Sequence, residues 1–91
     1  MNQPAGVFLI TLQAVEPPAT APLTVLAFAL AATVDEATAT AKAELASFGW
    51  IEIQALRTGE LMNEAALPAD FRDAVANARR YGCGLIIYDE P

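Results

Sequence analysis

The sequence predicts an α+β fold, a two-layer sandwich in which two helices cover one face of a sheet of four or five strands. Two segments, 33–49 and 68–82, show helical periodicity between a start signal and a glycine stop. Apolar segments rich in β-branched and aromatic residues precede, separate and follow these helices. The predicted order is therefore β-β-α-β-(β)-α-β, in a mixed or antiparallel sheet within one domain spanning residues 1–91.

The first predicted helix has signals at both ends. Thr33 and Glu36 have the spacing of a capping box, and Gly49 follows the last periodic residue. Its apolar face consists of Val34, Ala37, Ala41, Leu45 and Phe48. Because this face is mostly alanine, we expect the helix to lie close to the sheet.

Four segments are predicted as strands: 6–15, 23–32, 50–56 and 84–88. Periodicity alone also allows a buried helix at 23–32. A strand is favoured because Leu26, Phe28 and Leu30 alternate with smaller residues, and because the cap at Thr33 requires a non-helical start. Three prolines between residues 16 and 22 predict a loop.

Residues 57–60 predict a turn, and Leu61 and Met62 a short return strand. With that strand, the chain from Leu23 onward has the order β-α-β-β-α-β and resembles the ferredoxin-like arrangement, with the first strand added at a sheet edge. The resemblance concerns topology and implies no function.

The second predicted helix begins at Pro68, with acidic residues early and Arg79 and Arg80 late, as the helix dipole favours. Both helices end in an aromatic residue followed by glycine, at Phe48 and Tyr81. Since glycine commonly ends helices, we interpret this repetition as structural.

The composition predicts an associating, acidic protein. Hydrophobic residues make up 55% of the chain, which is high for so small a domain, so a partner should cover some apolar surface. A two-fold homodimer joined through the sheet face or an edge strand is the simplest solution. The net charge of −6 argues against nucleic-acid binding and is compatible with a basic protein partner.

The chain is expected to be cytoplasmic and to lack a membrane segment. A single cysteine allows no intramolecular disulfide, which favours a reducing compartment. The longest apolar run, residues 23–34, is shorter than the about 20 residues that span a bilayer.

Catalysis has little support in the residue types present. The chain has no histidine, which excludes the usual general base, the Ser-His and Cys-His nucleophile pairs and the commonest zinc ligand. No phosphate-binding glycine motif occurs, so we expect neither metal nor cofactor and, on balance, no enzyme. Cys83, between two glycines, is interpreted as a structural residue.

The leading hypothesis is a non-enzymatic protein–protein interaction module that acts as a homodimer. The alternative is a small-molecule-binding or weakly enzymatic dimer whose cleft is lined by Trp50, Glu52, Arg57 and Tyr88. Arg57, Arg72, Arg79 and Arg80 could also form an anion site, but ion pairing with Asp73 and its neighbours at helical spacings is the favoured interpretation.

Overall fold

The computed structural model describes residues 5–88, and of Tyr88 it describes the backbone alone. The strands are β1 (Gly6–Val15), β2 (Leu23–Ala31), β3 (Ile51–Glu60) and β4 (Cys83–Tyr88). The helices are α1 (Val34–Ser47) and α2 (Ala69–Tyr81), and a 3₁₀ turn spans Glu64–Ala66. The α+β class with two helices and a four-stranded sheet is confirmed.

The sheet is antiparallel throughout, in the order β3-β1-β2-β4. Its centre is the hairpin of β1 and β2, in which Ile10 lies opposite Ala27. β2 and β3 flank β1 and run in the same direction, because both are antiparallel to it. The two outer strands, β3 and β4, therefore form the edges of the sheet.

The two helices lie on opposite faces of the sheet, which corrects the prediction that both cover one face. Alternate strand residues point to opposite faces. Those packed in one core with α1 are Phe8, Ile10, Leu12, Val25, Ala27 and Ala29. The intervening residues Val7, Leu9, Leu26, Phe28 and Leu30 form a second core with α2. The helices, both fully described, make no contact with each other, so the molecule has three layers.

The two faces of β2 differ in side-chain size. Its small face presents Ala27 and Ala29, and the buried Ala37 and Ala41 of α1 pack in the same core. The large face presents Phe28. Its ring packs edge-on against the ring of Phe71, which lies in the first turn of α2, with the centroids 5.6 Å apart. α2 meets this large face with Phe71 and Val75, and also with the small residues Ala74 and Ala78.

β3 is longer than predicted, and the expected turn at residues 57–60 is part of the strand. Thr58 pairs with Ile10 and Glu60 with Phe8, so β3 continues along the whole of β1. Leu61 and Met62 lie outside any strand, although the Leu61 N–H donates to the Val7 carbonyl at 2.9 Å. The return strand is therefore absent within residues 5–88, and the sheet has four strands.

The ends of α1 form as predicted, with one difference. The Thr33 hydroxyl accepts a hydrogen bond from the Glu36 N–H at 3.2 Å. The Glu36 carboxylate accepts from Ala32, one residue before the cap, instead of from Thr33 itself. Gly49 has a φ of +90°, and the N–H of Trp50 donates to Leu45, which completes a Schellman ending.

Within residues 5–88, neither helix combines the length and the apolar character that crossing a membrane requires.

Candidate functional site

The side chains of Trp50, Glu52 and Arg57, three of the four residues of the predicted ligand cleft, do not lie together. Trp50 is 4% exposed and packs in the core beneath α1. Glu52 lines a cavity of about 310 Å³, and Arg57 a different one of about 290 Å³. The side chain of Tyr88 lies outside the described residues. Ligand binding by this set stays a prediction, with Glu52 and Arg57 on separate parts of the surface.

Cys83 is a buried thiol at the start of β4. Burial, followed by the negative charge of Glu44, raises the pKa of this thiol from its ordinary value of 9.0 to about 11. A thiol that stays protonated at neutral pH is a poor nucleophile, so the site geometry supports the structural interpretation of Cys83.

The two edges of the sheet differ in how they are protected against pairing with another strand. β3 carries the charged residues Glu52, Arg57 and Glu60, and its register with β1 shifts at two points. Glu52 also has a φ of +52°, which bends the strand locally. Charges and bulges on an edge strand are devices that prevent edge-to-edge association.

β4 has none of these devices. Residues 83–88 include no charged residue and no proline, and their register with β2 is unbroken. Among the described residues, no strand pairs with the outer side of β4. An uncharged, regular edge strand is a template for pairing with a further strand.

The hydrogen-bond pattern shows which groups of β4 face outward. The Leu30 N–H donates to the Gly82 carbonyl at 3.0 Å, which makes this position a hydrogen-bonded pair. Such pairs alternate along an antiparallel ladder. Gly84 and Ile86 therefore bond to β2, whereas Cys83, Leu85 and Ile87 direct their N–H and C=O groups toward the free edge.

An apolar surface surrounds this free edge. We call it the β4 edge patch and define it as Phe48, Tyr81, Leu85 and Ile87. Phe48 and Tyr81 are 66% and 73% exposed, and both line one cavity of about 340 Å³ together with Leu85 and the polar residues Glu44 and Asn77. Ile87 is 45% exposed and lies on the same face of β4 as Leu85. Exposed aromatic and aliphatic residues grouped in this way are typical of interaction surfaces.

A second feature involves two of the four arginines considered for an anion site. Arg72 and Arg79 of α2 line a cleft of about 310 Å³ beside the 3₁₀ turn, where Arg79 forms an ion pair with Glu64. Arg57 lies elsewhere, and the guanidinium of Arg80 is 5.8 Å from the centre of the Tyr81 ring. The structure thus places Arg72 and Arg79 in one cleft beside α2, and it places Arg57 and Arg80 elsewhere.

No protein-family model matches this chain, and no curated protein or solved structure is significantly similar to it.

In the described part of the chain, no three His, Cys, Asp or Glu residues converge as the ligands of a metal ion would. The functional interpretation therefore depends on the geometry of the surface itself.

The β4 edge patch was not predicted from the sequence, although the sequence contains a signal for it. Both helices end in an aromatic residue followed by glycine. The left-handed Gly49 and Gly82 end the helices and turn the chain directly into β3 and β4. This leaves Phe48 and Tyr81 outside both cores, at the same margin of the sheet. The two glycines account for the helix ends, but they do not account for the exposure of the aromatic residues that precede them.

Proposed function

We propose that this protein is a small, acidic, non-enzymatic protein–protein interaction module that acts as a homodimer joined at the free edge of β4. The observation that supports the proposal most directly is the contrast between the edges of the sheet. β3 is charged and irregular, whereas β4 is uncharged and regular and is flanked by the β4 edge patch.

The presence of a helix on each face favours an edge over a face as the interface. The part of the α2 face left open over β1 and β3 carries polar residues, among them Thr11, Gln13 and Gln54. An open polar face is compatible with water and needs no partner. The exposed apolar residues Phe48 and Tyr81 instead lie near β4.

The outward-facing groups of β4 specify a geometry for the dimer. Two antiparallel copies of β4 can pair through Leu85 opposite Leu85 of the second copy, with Cys83 opposite Ile87. The two-fold axis then lies perpendicular to an eight-stranded sheet, and the pairing is isologous. Because six strand residues alone make a small interface, Phe48 and Tyr81 supply additional apolar contact.

Light scattering coupled to size-exclusion chromatography tests the dimer. We expect the parent chain to have about twice the 9.6 kDa mass of one chain, and its melting temperature to rise with protein concentration. The Ile87→Lys variant should be monomeric, because it places a charge on the paired edge, opposite Cys83 of the second copy.

The matched control is Leu56→Lys on the other edge strand, since Leu56 is 54% exposed and lies outside the β4 edge patch. It should leave the dimer intact. Circular dichroism establishes that both variants are folded. A parent chain that stays at 9.6 kDa at high concentration contradicts the proposal, as does a dimer lost equally in both variants.

The proposed partners and location follow from the same surface chemistry. A net charge of −6 favours a basic protein as a further partner of the dimer and disfavours nucleic acid. A single reduced cysteine and the absence of a candidate membrane helix in residues 5–88 support a cytoplasmic location.

A further inference from the structure

The cleft between α2 and the 3₁₀ turn is lined by small apolar residues and by two arginines. Its apolar lining, which we call the floor, consists of Ala65, Val75 and Ala76, and its volume is about 310 Å³. Arg72 and Arg79 stand seven residues apart in α2, which corresponds to roughly 10 Å along the helix. Small floor residues between two such side chains leave room for a flat apolar group.

The charges of the cleft are unequal. Arg79 is bound to Glu64, and their side chains are 50% and 36% exposed. Among the described residues, this is the one ion pair, so Arg72 has no carboxylate partner there. The cleft therefore carries two positive charges and one negative charge, within a chain whose net charge is −6. A net positive cleft in an acidic protein attracts an anion.

We propose that this cleft binds a small monocarboxylate with a flat apolar body, whose carboxylate pairs with Arg72 while its body lies on Ala65, Val75 and Ala76. Guanidinium groups bind carboxylates in a bidentate manner, and an apolar floor adds contact that a simple anion cannot use. Glu64 opposes this ligand electrostatically, while its ion pair with Arg79 closes one end of the cleft.

The site is independent of the proposed dimer. The cleft involves Arg72, Ala76 and Arg79 on one side of α2, whereas Asn77 and Tyr81 on another side line the cavity next to β4. Binding at the cleft and association at β4 can therefore be tested separately in the same protein.

The probe is sodium benzoate, followed by ¹⁵N-edited NMR of the full chain, with two matched compounds. Benzamide has the ring without the charge, and acetate has the charge without the ring. We expect saturable shifts with benzoate at Ala65, Arg72 and Ala76, and about tenfold weaker binding of both control compounds. Added salt should weaken benzoate binding, because the cleft is open to solvent.

Three variants are expected to change the affinity for benzoate in different ways. Arg72→Gln should weaken benzoate binding about tenfold, and Glu64→Gln should strengthen it about threefold by removing a negative charge. Arg80→Gln, whose guanidinium lies near Tyr81, should change it less than about twofold. Thermal melts confirm folding. Benzoate shifts that fail to saturate, equal binding of benzamide, or unchanged affinity in Arg72→Gln would each overturn the proposal.

Discussion

Gly84 lies where the sheet and α2 approach each other closely. A Cβ at this position would lie 2.1 Å from the carbonyl oxygen of Ala74 and 2.9 Å from its carbonyl carbon. Both are backbone atoms, so no side-chain rotation can relieve the clash. The requirement for glycine here is a matter of space, since only a residue without Cβ lets α2 rest on β4.

We therefore expect Gly84→Ala to lower the free energy of unfolding by about 3 kcal/mol, the scale of overpacking in a tight core. Urea denaturation followed by circular dichroism measures the change. Gly59→Ala is the matched control, because Gly59 lies in a strand with no atom within 4 Å of the added Cβ. Equal stability of the two variants would show that α2 moves freely away from β4.

The thiol of Cys83 should react slowly in the folded protein. Its pKa is raised to about 11 by burial and then by Glu44, so at pH 8 the native thiolate fraction is about 100-fold below that of an unfolded thiol. Between pH 9.0 and about 11 the unfolded chain releases this proton first, so the contribution of Cys83 to stability falls as the pH rises.

Labelling with a thiol-specific chromogenic disulfide at pH 8 measures this reactivity. We expect the native rate to be about 100-fold below the rate in urea. Since the chain has a single cysteine, the signal has one source. Native labelling as fast as that of the unfolded chain would show that the α1 side of β4 opens readily.

At the scale of elements, α1 combines a defined N-terminal cap with few packing side chains. Its buried residues are Ala37, Ala41 and Leu45, so two of its three packing positions are alanine. Val34 and Phe48, predicted on the same face, are exposed at its two ends. The hydrogen bond from the Glu36 N–H to the Thr33 hydroxyl therefore fixes where the helix begins.

We expect Thr33→Ala to lower the free energy of unfolding by about 1 kcal/mol, the usual effect of removing a cap. Thr40→Ala, within the same helix, should be neutral or stabilising by about 0.5 kcal/mol because alanine has the higher helix propensity. Urea denaturation compares the two variants. A stability loss as large for Thr40→Ala as for Thr33→Ala would mean that the cap makes no special contribution.

At the scale of the whole molecule, placing one helix on each face changes where association can occur. Each face of the sheet has its own core. One core includes Leu45 of α1, and the other includes Phe28 of β2 and Val75 of α2. The apolar strand residues that were expected to need a partner are thereby largely covered within one chain. Exposed apolar residues remain at both edges: Phe48, Tyr81 and Ile87 lie around β4, and Ile51, Leu56 and Met62 lie in or just after β3. Because β3 also carries charges and register shifts, the proposed dimer involves the β4 edge.

Local physics explains what could be predicted from the sequence. Three signals depend on residues adjacent in the chain: the alternation in β1, the cap at Thr33 and the glycines at 49 and 82. The predicted bounds of these elements are therefore close to the observed ones. The extent of β3 was predicted less well, because Arg57, Thr58 and Gly59 resemble a turn locally. Their pairing with β1 makes them a strand, and that pairing is a long-range interaction.

The sequence by itself therefore determined the class, the order of the elements and the helix ends, since short-range hydrogen bonding and periodicity are sufficient for these. Only the tertiary structure decided the face on which each helix lies, because that face depends on the strand order, which long-range pairing sets. It also decided that β4 is an edge and that Phe48 and Tyr81 line one cavity beside it. These choices depend on how side-chain volumes fit between layers, as in the match of alanine in α1 with alanine in β2.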